Sequence, residues 1–379
     1  MLLRREANGE PNAASGKKRI YVFVIGTRAQ LIKVAPVLVA CEKSQLNCLL
    51  LMTGQHKETM QDLVDELGIQ SKQTFAIPAA EHSTVSSLVR WLPAAYFGVT
   101  NKLKEIAAAN QDIDVLVHGD TLSTLIGAFA GYRCGARVVH LESGLTSGKL
   151  LDPFPEEICR RLVFRLTDIA ICPDDTSAKH MVRYKKAQIF NSHGNSILDA
   201  VLLTGAADVI PNESAPYVVV SLHRFQNIYN SQRLKFLVNE VASVAKHLKV
   251  HFILHPATRG RLEKEGLTHC LESNENIHLS GRMGYRDFIR LAAGSSCVLT
   301  DGGSNQEELA FLGVPTVIMR AHTERLDGLG ATAMMESDIA QGLESYIANK
   351  NYMNIRLPVK KIEGDTPSQR IVKRLIQPV

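Results

Sequence analysis

Three acidic residues lie in short polar strings at three successive sites in the first half of the chain. Asp120 lies in HGDT, Glu142 in HLESGL and Glu156 in PFPEE. Asp120 and Glu142 each end a strand-like run, whereas Glu156 follows two prolines and opens a helix. Taken singly, Asp120 could cap a helix and Glu156 could interact with a helix dipole. Three converging carboxylates favour acid–base chemistry, because clustered acids acquire different pKa values.

Cationic side chains follow the first strand-like run. The string GTRAQ (residues 26–30) predicts a strand-to-helix turn carrying Arg28, with Lys33 one turn further on. A helix N-terminus with two cations can hold a phosphate or a carboxylate. GxGxxG and GxxxxGK[ST] are both absent, which counts against NAD and against a P-loop nucleotide site.

The second half of the chain contains a histidine and a glycine-rich turn, each placed after a predicted strand. His223 follows the run YVVVS directly. The string LTDGGSNQEE (residues 299–308) runs from a strand through two glycines and a serine into a helix. Backbone N–H groups at such a turn can cradle a diphosphate, and a carboxylate one turn further on can reach a ribose. An ordinary βα turn has the same composition, so the string alone leaves both interpretations open.

The elements that must position these residues alternate between short apolar runs and longer amphipathic stretches. Predicted strands include 20–25, 49–53, 115–117, 137–141 and 169–172, and then 217–221, 251–254, 277–279, 297–300 and 316–319. This alternation predicts an α/β fold with two Rossmann-like, doubly wound parallel-sheet domains. Polar clusters follow the strands in both halves, which predicts that the two domains face a central cleft.

Turn residues between 189 and 216 set the predicted division of the chain. We expect a disordered leader over 1–18, an N-terminal domain with the carboxylates over 19–195, and a C-terminal nucleotide-binding domain over 196–360. For the remaining residues, 361–379, we expect a C-terminal helix that packs back on the N-terminal domain.

Composition excludes several classes of protein. The 379 residues are 45% hydrophobic, with a net charge of +5 and one Trp. Nucleic-acid-binding proteins usually have clustered basic residues with aromatic residues among them, and this composition does not provide that pattern. No apolar run reaches the ~18 residues of a membrane span. The seven cysteines are scattered without CxxC, which disfavours a disulfide scaffold or a zinc site and favours a cytoplasmic protein.

Taken together, these strings resemble the UDP-N-acetylglucosamine 2-epimerase family of the GT-B fold. The matching strings are GTRAQLIKVAPVL, TGQHKETM, VHGDTLST, HLESGLTSG, PFPEEICRRL, HGNSILDA, LHRFQN, LTDGGSNQEE, LGVPTVIMR and HTERLDG. They occur in family order from about residue 20 to residue 330. The resemblance implies a non-hydrolysing enzyme that interconverts UDP-GlcNAc and UDP-ManNAc for surface polysaccharide synthesis. In that reaction UDP is eliminated anti to give 2-acetamidoglucal and is then added back, without cofactor or metal.

The resemblance also implies roles for individual residues. Asp120, Glu142, Glu156 and His223 are the implied catalytic residues. The implied substrate-binding residues are Arg28, Lys33, Phe288, Gly303, Ser304, Glu308 and Arg320. Gln55 and His56 match a region that contacts a second, activating UDP-GlcNAc in many bacterial members, and a homodimer is implied by analogy.

Some positions depart from the family pattern, which leaves alternatives open. The usual GTRPE is GTRAQ here, AGLR is SGLT with Thr146 in place of Arg, and HRRE is HRFQ with Gln226 in place of the acid. A hydrolysing relative that releases ManNAc, or an epimerase of a modified UDP-sugar, remains open. A GT-B glycosyltransferase would not require three carboxylates, and a non-catalytic UDP-sugar sensor would not retain the full catalytic set.

Overall fold

A computed structural model describes residues 18–55, 60–78, 85–109, 111–150, 154–323 and 326–377. The chain divides into two compact units. Of the described residues, the first unit holds 18–30, 38–55 and 70–193, and the second holds 31–37, 60–69 and 194–377. The predicted leader lies outside the described residues, apart from Lys18, which begins the first strand.

The first unit is built on a parallel sheet. Its strands are β1 (Lys18–Ile25), β2 (Cys48–Met52), β3 (Lys72–Phe75), β4 (Gln111–His118), β5 (Arg137–Leu141), β6 (Ile169–Cys172) and β7 (Gln188–Asn191). Within the described residues the order is β3-β2-β1-β4-β5-β6-β7, and all neighbours pair in parallel. The strand order therefore reverses between β1 and β4, which is where parallel α/β sheets place ligands.

Helices alternate with these strands along the chain. They are α1 (Arg28–Lys43), α2 (Gln61–Glu66), α3 (Val85–Ala108), α4 (Leu122–Arg133), α5 (Glu156–Leu166) and α6 (Asp175–Met181). Thr27, Thr121 and Asp174 cap α1, α4 and α6 through side-chain oxygens that accept from backbone N–H groups. Three polar residues after strands thus fix where these helices begin.

The second unit has a second parallel sheet with the same plan. Its strands are β8 (Tyr217–Ser221), β9 (Lys249–Ile253), β10 (Ile277–Ser280), β11 (Cys297–Thr300), β12 (Thr316–Ile318) and β13 (Ala333–Met335). Within the described residues the order is β10-β9-β8-β11-β12-β13, again wholly parallel, with the reversal between β8 and β11. The predicted pair of doubly wound α/β sheets is confirmed.

The remaining helices follow these strands. They are α7 (Ile197–Leu203), α8 (Phe225–Ile228), α9 (Ser231–Val244), α10 (Pro256–Lys264), α11 (Thr268–Glu272), α12 (Tyr285–Ala293), α13 (Gly303–Leu312), α14 (Leu343–Ala348) and α15 (Pro367–Ile376). Short 3₁₀ turns occur at Ala206–Asp208, Glu336–Asp338 and Asn351–Ile355.

Apolar residues fill both faces of each sheet. In β1, Val22, Phe23, Val24 and Ile25 are all fully buried, so consecutive side chains on opposite faces are covered, as in parallel sheets flanked by helices. In the second unit, Val218 and Val220 of β8 join a core with residues of α9 and α14. These continuous apolar runs hold the strand ends, and the polar residues after them, in fixed positions.

The C-terminal helix packs within the second unit. Thr366 and Gln369 form a capping box at the start of α15. The backbone N–H of Ser368 donates to the buried carboxylate of Asp199 on α7 at 2.8 Å. The predicted packing of this helix on the N-terminal domain stays a prediction.

Candidate functional site

Asp120 and Glu142 lie at the same edge of the first sheet. His118 at the end of β4 is in register with Leu141 at the end of β5, so the residues that follow the two strands emerge side by side. The His118 Nε2 atom lies 3.6 Å from Glu142 Oε2, and both side chains are more than nine-tenths buried. The structure therefore brings the first two predicted carboxylates to one place, with His118 beside Glu142.

The backbone at Glu142 adopts a conformation that is unusual for its residue type. Its φ is 58°, in the left-handed region that side chains other than glycine rarely occupy. The following Gly144 has φ 89°, and a Cβ there would lie 2.2 Å from the carbonyl oxygen of Ser177, so only glycine fits. Such strain persists where the surroundings fix it, and it is commonest at functional sites.

A buried histidine joins the two turns that carry these acids. His140 Nε2 lies 2.8 Å from the carbonyl oxygen of Gly119, next to Asp120, and its Nδ1 lies 3.0 Å from Ser143 Oγ, next to Glu142. Burial lowers the pKa of His140 to about 4. The neutral ring therefore donates from Nε2 and accepts at Nδ1, which makes His140 a positioning residue for both turns.

Glu156 stands at the start of α5, as predicted. Its Oε2 atom is buried and has no hydrogen-bond partner among the described residues. Burial raises the pKa of the Cys159 thiol to about 11, and the negative charges of Asp120 and Glu156 add to this rise. Arg160 lies one turn after Glu156 on α5 and forms an ion pair with Asp120, so the start of α5 and the turn that carries Asp120 lie side by side.

Two arginines on α5 and a second glutamate complete the surroundings of the carboxylates. Arg160 forms an ion pair with Asp120 and also donates to Glu157 at 3.3 Å. The fully buried Glu157 accepts from Thr146 Oγ1 at 2.6 Å, Ser147 N at 3.2 Å and Arg161 Nε at 2.9 Å. Burial alone would raise the pKa of Glu157, but these hydrogen bonds outweigh it and hold the pKa below its usual value.

This network gives Thr146 a structural role. The Thr146 hydroxyl donates to Glu157 and so holds the loop after β5 against α5. The family that the sequence resembles has an arginine at the position of Thr146. Neither Glu157 nor Arg160 was predicted from the sequence to belong to the site. Their spacing of three residues on a helix signals a salt bridge, but not which loop the pair contacts.

The glutamine of the GTRAQ turn holds the turn in place. The Gln30 amide is buried, accepts from Gly26 N at 2.9 Å, and donates to the His118 carbonyl oxygen and to Thr124 Oγ1, each at 2.9 Å. Gln30 therefore links the turn after β1 to the turn after β4. Arg28 begins α1 at this turn and is half-buried.

Gln55 lies at the same edge of the first unit. Ser123 Oγ donates to Gln55 Oε1 at 2.7 Å, and a Cβ on Gly26 would meet Ser123 Oγ at 1.9 Å. Close approach of these turns thus requires glycine at residue 26. His56, the other residue predicted to contact an activator, lies outside the described residues.

In the second unit, Asp301 is the centre of the site. Its fully buried carboxylate accepts from the backbone N–H groups of His223 and Arg224 and from the Asn227 amide, at 2.8–3.1 Å. His223 Nδ1 lies 3.4 Å from the same carboxylate, and the His223 side chain is 41% exposed. Asp301 therefore fixes the loop that presents the predicted histidine, although the sequence analysis did not assign it a role.

The glycine-rich turn forms an open helix N-terminus. Gly302 precedes α13 and provides no side-chain cap, so Gly303 and Ser304 begin a ten-residue helix whose first N–H groups lack a capping side chain. Glu308, one turn on, is buried and accepts from Tyr285 Oη at 2.9 Å. Burial raises the pKa of Tyr285 well above its usual value, and Glu308 adds to the rise.

The other predicted binding residues are also in the second unit. Arg320 follows β12 and donates through Nη2 to Gln306 Oε1 at 3.2 Å and to Thr323 Oγ1. Phe288 lies on α12 and is half-buried. Lys33 is buried, and its carbonyl oxygen accepts from Ser196 Oγ at 2.5 Å. The predicted residues therefore divide between the units: the three carboxylates lie in the first unit, and His223, Phe288, Gly303, Ser304, Glu308 and Arg320 lie in the second.

Two features are absent from the part of the chain that the structure describes. No group of three or more His, Cys, Asp or Glu side chains is arranged to hold a metal ion. No helix there is long and apolar enough to cross a membrane.

Comparisons with known proteins agree on one family. The family model described as UDP-N-acetylglucosamine 2-epimerase matches residues 39–375. A UDP-N-acetylglucosamine 2-epimerase of Methanocaldococcus jannaschii is 29% identical over 322 residues, covering 80% of this chain and 84% of the relative.

Solved structures show the same likeness in three dimensions. The S. aureus protein MnaA, solved with UDP, is 26% identical with a TM-score of 0.71, covering 95% of this chain and 96% of that one. The M. jannaschii UDP-GlcNAc 2-epimerase, solved with UDP-GlcNAc and UDP, is 25% identical with a TM-score of 0.70, covering 94% and 99%. The fold class is GT-B, as predicted.

Proposed function

The chain belongs to the UDP-N-acetylglucosamine 2-epimerase family and is an epimerase; we propose that it is a non-hydrolysing member that interconverts UDP-GlcNAc and UDP-ManNAc. The observation that carries the proposal is the cluster of Asp120, Glu142 and Glu156 at one edge of the first sheet, with a buried Glu156 oxygen that no described side chain satisfies. A buried acceptor without a partner is costly unless a ligand or a proton meets it. As part of the same proposal, the product supplies surface polysaccharide synthesis.

The proposed reaction has two stages. In the first, a carboxylate removes the proton from C2 of the sugar, and the electrons of the C–H bond form a C1–C2 double bond. The C1–O bond breaks at the same time, and UDP leaves with the electrons of the C1–O bond. In the second, UDP adds back to C1 while C2 receives a proton on its opposite face. Proton transfer on both faces of C2 requires an acid–base group on each face. A site with several carboxylates meets this requirement, whereas a site with one does not.

Arg160 and His118 support this chemistry by setting the charge of the cluster. Arg160 forms an ion pair with Asp120. His118, 3.6 Å from Glu142, can exchange a proton with it or stabilise its charge. The carboxylates therefore have different environments, as groups with different proton-transfer roles require.

In the second unit we propose that the α13 N-terminus binds the diphosphate. Gly303 and Ser304 offer backbone N–H groups and the positive end of the helix dipole. His223, held by Asp301, is proposed to act near the leaving diphosphate. Glu308 is proposed to bind the ribose. Arg320 and Phe288 are proposed to bind other parts of the nucleotide. Arg28 and Lys33 are proposed to contact the substrate through their positive charges.

Proton NMR of UDP-GlcNAc incubated with the protein in D2O tests the proposal. We expect a mixture of UDP-GlcNAc and UDP-ManNAc with deuterium at C2. Free UDP accumulating with ManNAc would instead identify a hydrolysing enzyme. An unchanged spectrum, from protein shown to bind UDP, would contradict this substrate and point to a modified UDP-sugar.

We also propose a homodimer formed through α3 and α4 of the first unit. Phe97, Phe129 and Tyr132 are 61%, 43% and 50% exposed, and Tyr96 contacts both phenylalanine rings, with centroids 5.3 Å and 5.4 Å away. A contiguous exposed aromatic patch is typical of a protein interface. A second copy of the chain is the proposed occupant.

Replacing both Phe97 and Phe129 with Asp should convert the dimer to a monomer, because burying two carboxylates opposes association. Light scattering after gel filtration measures the mass. Met353→Asp, at a residue that is 60% exposed in the second unit, is the matched control and should leave the mass unchanged. A wild-type monomer, or a double variant that remains dimeric, would contradict this interface.

A further inference from the structure

A buried tyrosine joins two helices of the second unit that carry proposed nucleotide contacts. Tyr285 is the first residue of α12, and Glu308 lies in the middle of α13. Tyr285 Oη donates to Glu308 Oε1 at 2.9 Å. The two residues are 8% and 2% exposed, so water competes little for this hydrogen bond.

The phenol of Tyr285 stays a donor at physiological pH. Burial and the negative charge of Glu308 raise the pKa of Tyr285 well above its usual value, so the hydroxyl keeps its proton. A hydrogen bond to a carboxylate is stronger than one between neutral groups. The bond therefore restricts the rotation of the Glu308 carboxylate.

The first turn of α12 is held on two sides, which fixes the point from which Tyr285 reaches Glu308. Tyr285 and Ile289, four residues apart, are both buried and anchor one face of the helix. Glu66 of α2 holds its start, because Glu66 Oε2 accepts from Arg286 N at 3.2 Å. Arg286 Nη2 in turn donates to the Glu66 carbonyl oxygen at 2.7 Å.

An oriented carboxylate can recognise the neighbouring hydroxyl groups of a ribose. A carboxylate has two oxygens with about four acceptor sites, so the bond from Tyr285 is compatible with bonds from a ligand. We propose that Tyr285 is a positioning residue that orients Glu308 toward the ribose hydroxyl groups, so that the site selects ribonucleotides over deoxyribonucleotides. This inference rests on the proposed binding of ribose by Glu308 and adds the residue that makes it selective.

Calorimetric titrations of the full chain with UDP and with its 2′-deoxy and 3′-deoxy analogues test the inference. Wild-type protein should bind UDP about tenfold more tightly than an analogue that lacks a recognised hydroxyl group. Tyr285→Phe should weaken UDP binding about tenfold and leave the binding of that analogue nearly unchanged. The analogue already lacks the hydroxyl group that the oriented carboxylate binds.

Tyr217→Phe is the matched control. Tyr217 Oη donates to the carbonyl oxygen of Leu291 on α12 at 2.8 Å, so this variant also removes a phenol that holds α12 but leaves the bond to Glu308 in place. It should keep the wild-type ratio of affinities for UDP and the analogues. A merely structural loosening of α12 would weaken the binding of all three ligands together and would not change that ratio.

Two results would overturn the inference while leaving the ribose contact of Glu308 intact. They are a wild-type ratio of affinities that persists or increases in Tyr285→Phe, and an equal loss of the ratio in Tyr285→Phe and Tyr217→Phe. Equal binding of the three ligands by the wild-type protein, or no binding of UDP, would contradict the ribose contact and the inference together. Deuterium exchange at C2 reports separately on the epimerase reaction, so failure of that reaction is distinguishable from each of these results.

Discussion

Replacing Glu142 with glutamine should stop exchange of the C2 proton while UDP-GlcNAc still binds. Glutamine preserves the shape of the side chain but neither takes nor gives a proton at this position. A positioned acid–base group contributes about 10²–10⁴-fold to rate, so turnover should fall by that factor. Deuterium incorporation at C2 in D2O, followed by NMR, measures exchange, and calorimetry with UDP-GlcNAc measures binding.

Two further variants separate chemistry from structure in this experiment. Glu105→Gln changes an exposed glutamate of α3 that pairs with Lys102, and it should leave exchange unchanged. Glu157→Gln removes a buried carboxylate that accepts four hydrogen bonds, so it should lower the free energy of unfolding, by about 3–5 kcal/mol if it behaves as a broken buried ion pair. Near-normal exchange by Glu142→Gln would remove Glu142 from the catalytic set.

Strands in the middle of each sheet were predictable because they are buried on both faces. The bounds predicted for β5, β6, β8 and β11 are confirmed residue for residue, since continuous apolar runs ended by polar residues define them. Three edge strands, β3, β7 and β13, were missed, whereas the edge strand β10 was predicted. The strands β3 (KQTF) and β7 (QIFN) are each four residues long, with three and two polar residues respectively, so no apolar run marks them and pairing with a neighbour decides the element.

The long helix α3 was missed for a different reason. Its sequence contains Pro93, Gly98, two serines and several β-branched residues, which lower intrinsic helix propensity. Burial of Trp91, Ala95, Val99 and Leu103 against the first sheet stabilises the helix despite that composition. Tertiary packing, which a local pattern does not show, decides the element.

The candidate site divides in the same way. Residues that follow strands, such as Asp120 and His223, were predictable because parallel strands end at one edge of their sheet. Asp301, Arg160 and His140 were not given roles, because their importance lies in contacts across the fold. Asp301 binds His223 and Asn227, Arg160 binds Asp120, and His140 binds Gly119. Each of these partners lies 20 or more residues away along the chain.

His140 should make the protein's stability depend on pH between about 4 and 6.5. Its pKa in the folded chain is lowered from 6.5 to about 4, because burial disfavours the charged imidazolium. Below pH 6.5 the unfolded chain binds a proton that the folded chain does not bind until about pH 4. The free energy of unfolding should therefore fall as the pH falls through this window, by about 3 kcal/mol, with no contribution above it.

Two substitutions at His140 distinguish its titration from its hydrogen bonds. His140→Phe keeps the contact with the Phe164 ring, at 5.6 Å between centroids, but leaves the Gly119 carbonyl oxygen without its donor. His140→Gln places an amide N–H near the position of Nε2 and can restore that donor. Neither side chain titrates, so urea unfolding at pH 7 and at pH 4.5 should show a smaller difference in both variants than in the wild-type protein.

The rate of C2 exchange should separate the two variants, because only the glutamine can restore the hydrogen bond to the Gly119 carbonyl oxygen, next to Asp120. We expect turnover to fall by about 10²-fold in His140→Phe, a loss of the size that misplaced reacting groups cause, and to be largely rescued in His140→Gln, with little change in KM. An unfolding free energy with the wild-type pH dependence in both variants would disprove the burial argument. Equal turnover in the two would show that the Gly119 hydrogen bond does not position the carboxylates.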